Sequence, residues 1–246
     1  MVIDSHVHLK HGNAERTEYR PEQIVASMDE AGVDRSVVFA MCTTTLRSIE
    51  MAREAHEAFP DRLIPYAYAL PDPSRAIVPD LEQAMGEYGF KGIKLHCGEC
   101  TVAEYVADPV FRLAGKFGVP CLIDFAGRHQ DLDRIARAFP DTRIIAAHLG
   151  RYLGTDQALI DRFVSIAEAC ANVYLDISGV VLLWKIREAV DRVGADRVLW
   201  GTDGPYPTPD LSTYIRTDMA KVRASGISQA DQDAVFGGSI SKLLGL

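Results

Sequence analysis

The segment VFRLAGKFGVPCLIDF, residues 110–125, contains the pattern that decides the fold. Its first part, 110–118, has apolar residues at helical spacing and ends on a glycine, the residue type preferred just past the end of a helix. Its second part, 119–125, is a short and nearly continuous apolar run, as expected for a strand that is buried on both faces. The segment therefore predicts a helix, a tight turn and a parallel strand, and an acidic residue, Asp124, stands near the end of that strand.

The same succession of an apolar run, a polar loop and a helical segment recurs along the chain. We count eight runs, at 2–7, 36–41, 63–69, 90–96, 119–125, 143–148, 172–178 and 197–203. Eight βα units in 246 residues predict an α/β fold, a (β/α)8 barrel that forms a single domain over 1–246. An open doubly wound sheet is the alternative. No glycine-rich phosphate-binding motif follows any run, which argues against that alternative.

Composition restricts the classes of partner. The chain has 26 basic and 34 acidic residues, a formal net charge of −8, and its basic residues are scattered, so we expect no nucleic-acid partner. No stretch approaches the roughly 18 apolar residues of a membrane span and no signal-like start is present, so we expect no membrane partner and a cytoplasmic location. The five cysteines lie mostly in apolar segments, which fits reduced packing residues better than disulfides.

Ionisable side chains stand at the ends of five runs, where apolar residues would otherwise continue: His6, His8, Lys94, His96, Asp124, His148 and Asp203. In a (β/α)8 barrel the carboxyl ends of all strands meet at one mouth, where catalytic groups cluster. Residues two apart share one face of a strand, so His6 and His8 can point together into the barrel. With Asp203 from the neighbouring eighth strand they provide the three ligands of a catalytic zinc site. A single histidine would more often be structural, but this coincidence favours a metal site.

Five motifs give the whole chain a resemblance to a known family. In order they are DSHVH (4–8), GIKLH (92–96), AAHLG (146–150), LWGTDGPYP (199–207) and FGGSISKLLGL (236–246). Together they resemble the amidohydrolase superfamily, and in particular the amidohydrolase-related branch that includes aminocarboxymuconate-semialdehyde decarboxylase, hydrolases and lactonases. The resemblance implies a distorted (β/α)8 barrel with a catalytic divalent metal at its mouth.

The resemblance also assigns roles to residues of this chain. His6 and His8 match the metal ligands of the first strand, and Asp203 matches the carboxylate of the eighth strand that binds metal and transfers the proton of the attacking water. His148 matches a polarising or proton-transfer histidine of the sixth strand. Asp124 departs from the pattern, because the family has a histidine there. The departure implies either a ligand set of His6, His8, Asp124 and Asp203, or altered chemistry, or a lost metal.

The expected cofactor is one divalent metal ion, zinc or alternatively manganese. A binuclear centre bridged by a carboxylated Lys94 is a further alternative. The candidate substrate-binding residues are Lys94, His96, Arg128 and Arg151, since a cation at the mouth can hold an anionic substrate. His96 has a second interpretation, as the replacement for the missing histidine of the fifth strand.

The expected activity is metal-dependent hydrolysis of a small-molecule amide, lactone or cyclic ester. Asp203 would take the proton of the attacking water and later pass it to the leaving group, while His148 would stabilise the oxyanion. Two alternatives are a metal-dependent, non-oxidative decarboxylase of an aromatic or unsaturated acid and a binding barrel without activity. The mouth loops are short, which predicts either an open pocket or one completed by a second copy in a homo-oligomer.

Overall fold

Strands and helices alternate along the chain in the computed structural model, which describes residues 1–72 and 74–246. The strands are β1 (Ile3–Lys10), β2 (Arg35–Ala40), β3 (Leu63–Tyr68), β4 (Gly92–His96), β5 (Cys121–Asp124), β6 (Ile144–Ala146), β7 (Val173–Asp176) and β8 (Val198–Leu199). A helix follows each strand: α1 (Pro21–Ala31), α2 (Thr45–Ala58), α3 (Val78–Gly86), α4 (Glu104–Phe117), α5 (His129–Ala138), α6 (Gln157–Ala169), α7 (Leu183–Val193) and α8 (Leu211–Ala224). Two short helices complete the chain, α9 (Gln229–Asp233) and α10 (Ser239–Leu244). Within the described residues, none of these helices has the length and apolar character needed to cross a membrane.

The sheet is parallel throughout and its strands lie in chain order from β1 to β8. Backbone hydrogen bonds then join its two ends. Ser5 N–H donates to Trp200 O at 3.1 Å, and His8 N–H donates to Gly204 O at 2.7 Å. The predicted single-domain (β/α)8 barrel is therefore confirmed, and every predicted run overlaps an observed strand.

The helix predicted over 110–118 is longer than its sequence pattern indicated. It begins at Glu104 and runs through Pro109, a residue type that normally ends a helix because it lacks an N–H group. Buried Ala107 and Phe111 lie on the same face on either side of the proline, so packing against the barrel offsets the missing hydrogen bond.

Apolar side chains form two layers. The outer layer packs between the strands and the helices. The inner layer fills the barrel itself with side chains that alternate along the strands, including Val37, Phe39, Ile64, Tyr66, Leu122, Ile145 and Leu199, together with Ile240 and Leu243 of α10. Helix α10 thus closes the amino end of the barrel and leaves the carboxyl end open.

A register shift in β1 aims the first functional side chains. The pairing of β1 with β2 is interrupted between Asp4 and Val7, as in a β-bulge. Ile3 belongs to the inner apolar layer before the shift, and His6 and His8 are buried on the inner face after it, whereas Val7 packs in the outer layer. The irregularity therefore turns both histidines into the barrel.

Candidate metal centre

Three buried side chains meet at the carboxyl end of the barrel. Both His6 Nε2 and His8 Nε2 lie 3.0 Å from Asp203 Oδ1, and one ligand atom from each residue lies within 4.8 Å of the others. Two imidazole nitrogens and one carboxylate oxygen form a donor set that catalytic zinc sites use. We call His6, His8 and Asp203 the triad.

The hydrogen bonding of His6 suits a metal ligand. His6 Nδ1 lies 2.6 Å from Asp176 Oδ2 in β7, and the carboxylate accepts the Nδ1 proton. The opposite nitrogen of the ring, Nε2, faces Asp203 Oδ1 at 3.0 Å. The ring nitrogen that a metal would use thus points at the carboxylate that would complete the site. A carboxylate behind a ligating histidine is also the usual second partner of metal-bound imidazole, so the triad fits a divalent metal.

His8 is held in the form that binds metal. Burial lowers its pKa to about 3, although the hydrogen bond with Asp203 acts in the opposite direction. The ring is therefore neutral at physiological pH, as a metal-ligating imidazole must be. Its Nδ1 is buried and has no hydrogen-bond partner among the described residues.

Asp203 occupies a constrained position after β8. Its φ of 58° lies in the left-handed region, which costs energy for a residue with a Cβ and occurs preferentially at functional sites. The preceding Gly201 allows β8 to approach β1, because a Cβ there would lie 2.7 Å from His6 Cβ. Burial raises the pKa of Asp203, but the positive charge of His148 and the bonds from the triad histidines hold it well below its usual value. Tyr206 O–H donates to Asp203 Oδ2 at 3.1 Å.

His148 lies beside the triad as a positively charged group. Its Nδ1–H donates to the Ser178 carbonyl oxygen at 3.0 Å, and its Nε2 lies 3.5 Å from Asp124 Oδ2 and 3.9 Å from Asp203 Oδ1. Burial lowers the pKa of His148, but the carboxylates of Asp203 and Asp124 outweigh it and raise the pKa to about 9. At neutral pH this ring can donate a hydrogen bond or a proton.

Asp124 faces two imidazoles rather than the triad. It is the register partner of His96 across β4 and β5. Gly98 N–H donates to His96 Nδ1 at 2.9 Å, so the proton of that ring is on Nε2, which lies 3.1 Å from Asp124 Oδ2. Ala126 N–H donates to Asp124 Oδ1 at 2.7 Å. Burial raises the pKa of Asp124, but His148 and His96 together bring it far below its usual value.

Lys94 brings a basic side chain to the same place. Its side chain is fully buried, and Nζ lies 3.2 Å from His6 Nε2 and 5.2 Å from the centre of the Phe39 ring. Burial lowers the pKa of Lys94, and the carboxylates of Asp124 and Asp203 act against this. The amine thus contacts the nitrogen lone pair that a metal at the triad would use.

A cavity of about 810 Å³ opens over the triad. Two of the four predicted substrate-binding residues, Lys94 and His96, line it, whereas Arg128 and Arg151 are exposed and lie outside its walls. Arg16, from the loop after β1, does line the cavity, although its side chain is also exposed. The walls further include His11, Met41, Cys42, Leu70, Glu99, Tyr152 and Tyr206.

Three residues of the site escaped the sequence analysis. Asp176 interrupts the apolar run 172–178, just as Asp124 interrupts the run 119–125. The sequence therefore contained a signal that could have identified Asp176. Arg16 and Tyr206 lie in loops, where the direction of a side chain depends on turn geometry that apolar periodicity does not encode.

A family model described as Amidohydrolase matches residues 3–246. No curated protein matches.

Solved structures share the fold over nearly their full length at low sequence identity. 5-Carboxyvanillate decarboxylase from Novosphingobium aromaticivorans, solved with manganese, has a TM-score of 0.77 at 16% identity, with 100% of this chain and 96% of that chain covered. A probable 2-pyrone-4,6-dicarboxylic acid hydrolase from Acinetobacter baumannii has a TM-score of 0.75 at 16% identity, covering 100% and 99%. 4-Oxalomesaconate hydratase from Rhodopseudomonas palustris has a TM-score of 0.72 at 16% identity, covering 100% and 96%. These neighbours catalyse three kinds of reaction, so the fold alone does not select one.

Proposed function

The chain belongs to the amidohydrolase family, and we propose that it is a metal-dependent hydrolase of a small amide, lactone or cyclic ester. The observation that carries the proposal is the convergence of His6 Nε2, His8 Nε2 and Asp203 Oδ1 beside an open cavity of about 810 Å³, which His8 and Asp203 line.

In this proposal the triad holds a single divalent ion, zinc or manganese. When bound, such an ion lowers the pKa of a coordinated water from about 15.7 towards about 7 and polarises a substrate carbonyl. Support for the ligand assignment comes from Asp176, whose carboxylate accepts the Nδ1 proton of His6 and so directs Nε2 into the site.

Asp203 is the proposed general base. Its carboxylate is ionised at neutral pH, Oδ1 faces the two histidines, and Tyr206 fixes Oδ2 through its hydroxyl group. Asp203 takes the proton of the attacking water and then gives it to the leaving group as the tetrahedral species collapses. A base that receives one proton and returns it leaves the site ready for the next cycle.

His148 is the proposed stabiliser of the oxyanion. Its raised pKa keeps a proton on Nε2 at neutral pH, and Ser178 O holds the opposite side of the ring. We propose that Asp124 serves this histidine rather than acting as a fourth ligand, because Asp124 Oδ2 lies between His148 Nε2 and His96 Nε2. The carboxylate then keeps His148 charged and oriented toward the cavity.

The same charged His148 supports a second candidate, non-oxidative decarboxylation. His148, with a pKa of about 9, is an acid in the cavity. It can supply the proton that takes the place of CO₂ on the substrate carbon. In that reaction the ion at the triad would hold the acid substrate, and Asp203 would have no water to deprotonate.

Metal analysis together with a substrate panel tests the proposal. We expect about one equivalent of zinc or manganese in the purified protein, its loss in His6→Ala, and its retention in His129→Ala, a histidine on α5 outside the cavity. Turnover is then measured with amides, lactones, cyclic esters and phenolic acids, scoring new carboxylate against released CO₂. Carboxylate formation that a chelator abolishes supports the hydrolase, and CO₂ release supports the second candidate. A protein without metal, insensitive to chelators and inactive on the whole panel, is a binding barrel instead.

A further inference from the structure

We propose that Arg16 binds a carboxylate group of the substrate at a distance from the reacting bond, so that the enzyme selects substrates that carry an acid group. The inference rests on the proposed function, because it takes the triad as the place of reaction. It assigns to Arg16 the anion-binding role that the sequence analysis gave to Arg128 and Arg151.

The guanidinium of Arg16 is anchored on one side only. Its Nη1 donates to the Gly12 carbonyl oxygen at 3.0 Å and to Cys42 Sγ at 2.9 Å. Across the described residues, no carboxylate lies within 4.0 Å of the Arg16 guanidinium. Most of the arginines that do form an ion pair with an acid lie on the outer helices. Nη2 and Nε make no hydrogen bond within this described part, so two donors are left for a ligand at the cavity wall.

The backbone that carries Arg16 is held in a costly conformation. Its φ is 53°, in the left-handed region that a side chain disfavours. A local turn stabilises this conformation: Arg16 N–H donates to Asn13 O at 3.0 Å, and Thr17 N–H donates to Asn13 Oδ1 at 2.9 Å while Asn13 Nδ2 donates to Thr17 Oγ1 at 2.8 Å. Backbone strain that the surrounding hydrogen bonds offset is found preferentially where a side chain must be presented to a ligand.

The acid on the other side of Cys42 from Arg16 is already satisfied by hydrogen bonds. Glu99 lines the same cavity, and its Oε2 accepts from Tyr68 O–H at 2.5 Å while its Oε1 accepts from the Cys42 thiol. The thiol thus separates the carboxylate of Glu99 from the guanidinium of Arg16. Glu99 therefore uses other donors and leaves Arg16 without an ion-pair partner among the described residues.

The shape of the group specifies the ligand chemistry. A guanidinium presents parallel N–H donors that match the two oxygens of a carboxylate, and hydrogen bonds between charged partners are about twice as strong as neutral ones. With Lys94 at the floor and Arg16 at the wall, the cavity offers basic side chains at two levels. A molecule with two acid groups of the right separation can therefore engage both.

Calorimetric binding of linear diacids tests the role of Arg16. The probes are malonate, succinate, glutarate and adipate, each compared with its half-amide, which keeps the length and removes one charge. We expect one diacid to bind about 10- to 100-fold more tightly than its half-amide, the advantage of hydrogen bonds to a charged group. Arg16→Gln should abolish this advantage, Arg16→Lys should retain part of it, and Arg151→Gln, the control outside the cavity, should retain all of it.

Two results would overturn the inference: an Arg16→Gln variant with the full diacid advantage, or a wild-type protein with no advantage at any length. If circular dichroism shows that Arg16→Gln does not fold, the Arg16→Lys variant tests the inference instead. An undiminished diacid advantage in Arg16→Lys would contradict the need for the planar guanidinium group. The titrations are repeated after dialysis against a chelator. If diacid binding depends on Arg16 but no substrate is turned over, only the proposed function is contradicted. If substrate is turned over but diacid binding is unchanged in Arg16→Gln, only the Arg16 proposal is contradicted.

Discussion

His6 is fixed from three directions by residues distant in the chain. Asp176 in β7 holds Nδ1, and both Lys94 in β4 and Asp203 after β8 approach Nε2. A side chain confined in this way loses little conformational entropy when it binds a ligand. The position of Asp176 behind the ring therefore preorganises His6 as a proposed metal ligand.

Asp176→Asn should weaken metal binding about 10- to 100-fold, the usual effect of removing the carboxylate behind a ligating histidine. The amide keeps the size of the side chain but no longer accepts the Nδ1 proton with a full negative charge. Competition titration of zinc against a chromophoric chelator measures the change. Asp191→Asn, on the exposed face of α7, is the matched control and should leave the affinity unchanged. Equal affinities in the two variants would contradict this role of Asp176.

At the scale of elements, the last strand is the one that depends most on its surroundings. β8 has two residues, and Trp200 directly after it is tied to helix α8, since its Nε1–H donates to Asp218 Oδ1 at 3.1 Å. Lys221 Nζ donates to the other oxygen of Asp218 at 2.6 Å. Burial raises the pKa of Asp218 to about 6, although Lys221 and Trp200 act to lower it.

The raised pKa of Asp218 makes the stability of the protein depend on pH. As pH rises, the unfolded chain loses this proton near pH 3.8 and the folded chain only near pH 6, so the contribution is fully present below pH 3.8 and is lost as pH rises through 6. We expect the free energy of unfolding of the wild type, minus that of Asp218→Asn, to fall by about 2 to 3 kcal/mol between pH 4 and 7. Urea unfolding at each pH measures it, and a constant difference would show that Asp218 titrates normally.

Strands and site differed in how far the sequence predicted them. Parallel strands buried on both faces leave nearly continuous apolar runs, so all eight were recognisable, and an ionisable residue in such a run is conspicuous. The partners of these residues were not predictable, since the contact of Asp124 with His96 and His148 depends on register across β4, β5 and β6. Arg16 was missed for a related reason, because a loop has no periodicity that gives the direction of its side chains.

For the whole molecule, the barrel separates stability from chemistry by placing them at opposite ends. The triad and its cavity occupy the carboxyl end of the strands. At the amino end, Ile240 of α10 is fully buried against the inner apolar layer, which includes Ile3 and Leu199. No residue of α10 lines the cavity.

Ile240→Ala should therefore reduce the free energy of unfolding without changing the site. Truncating a fully buried isoleucine removes apolar contacts and leaves a cavity, which costs about 2 to 5 kcal/mol. Metal affinity and turnover of the folded protein should stay within about twofold, because packing at the closed end does not reach the triad. Denaturant unfolding, zinc titration and activity at a temperature well below the transition measure the three quantities. Leu46→Ala, at a side chain that is 42% exposed, is the control and should cost far less stability. A loss of metal affinity in Ile240→Ala alone would show that the two ends are coupled.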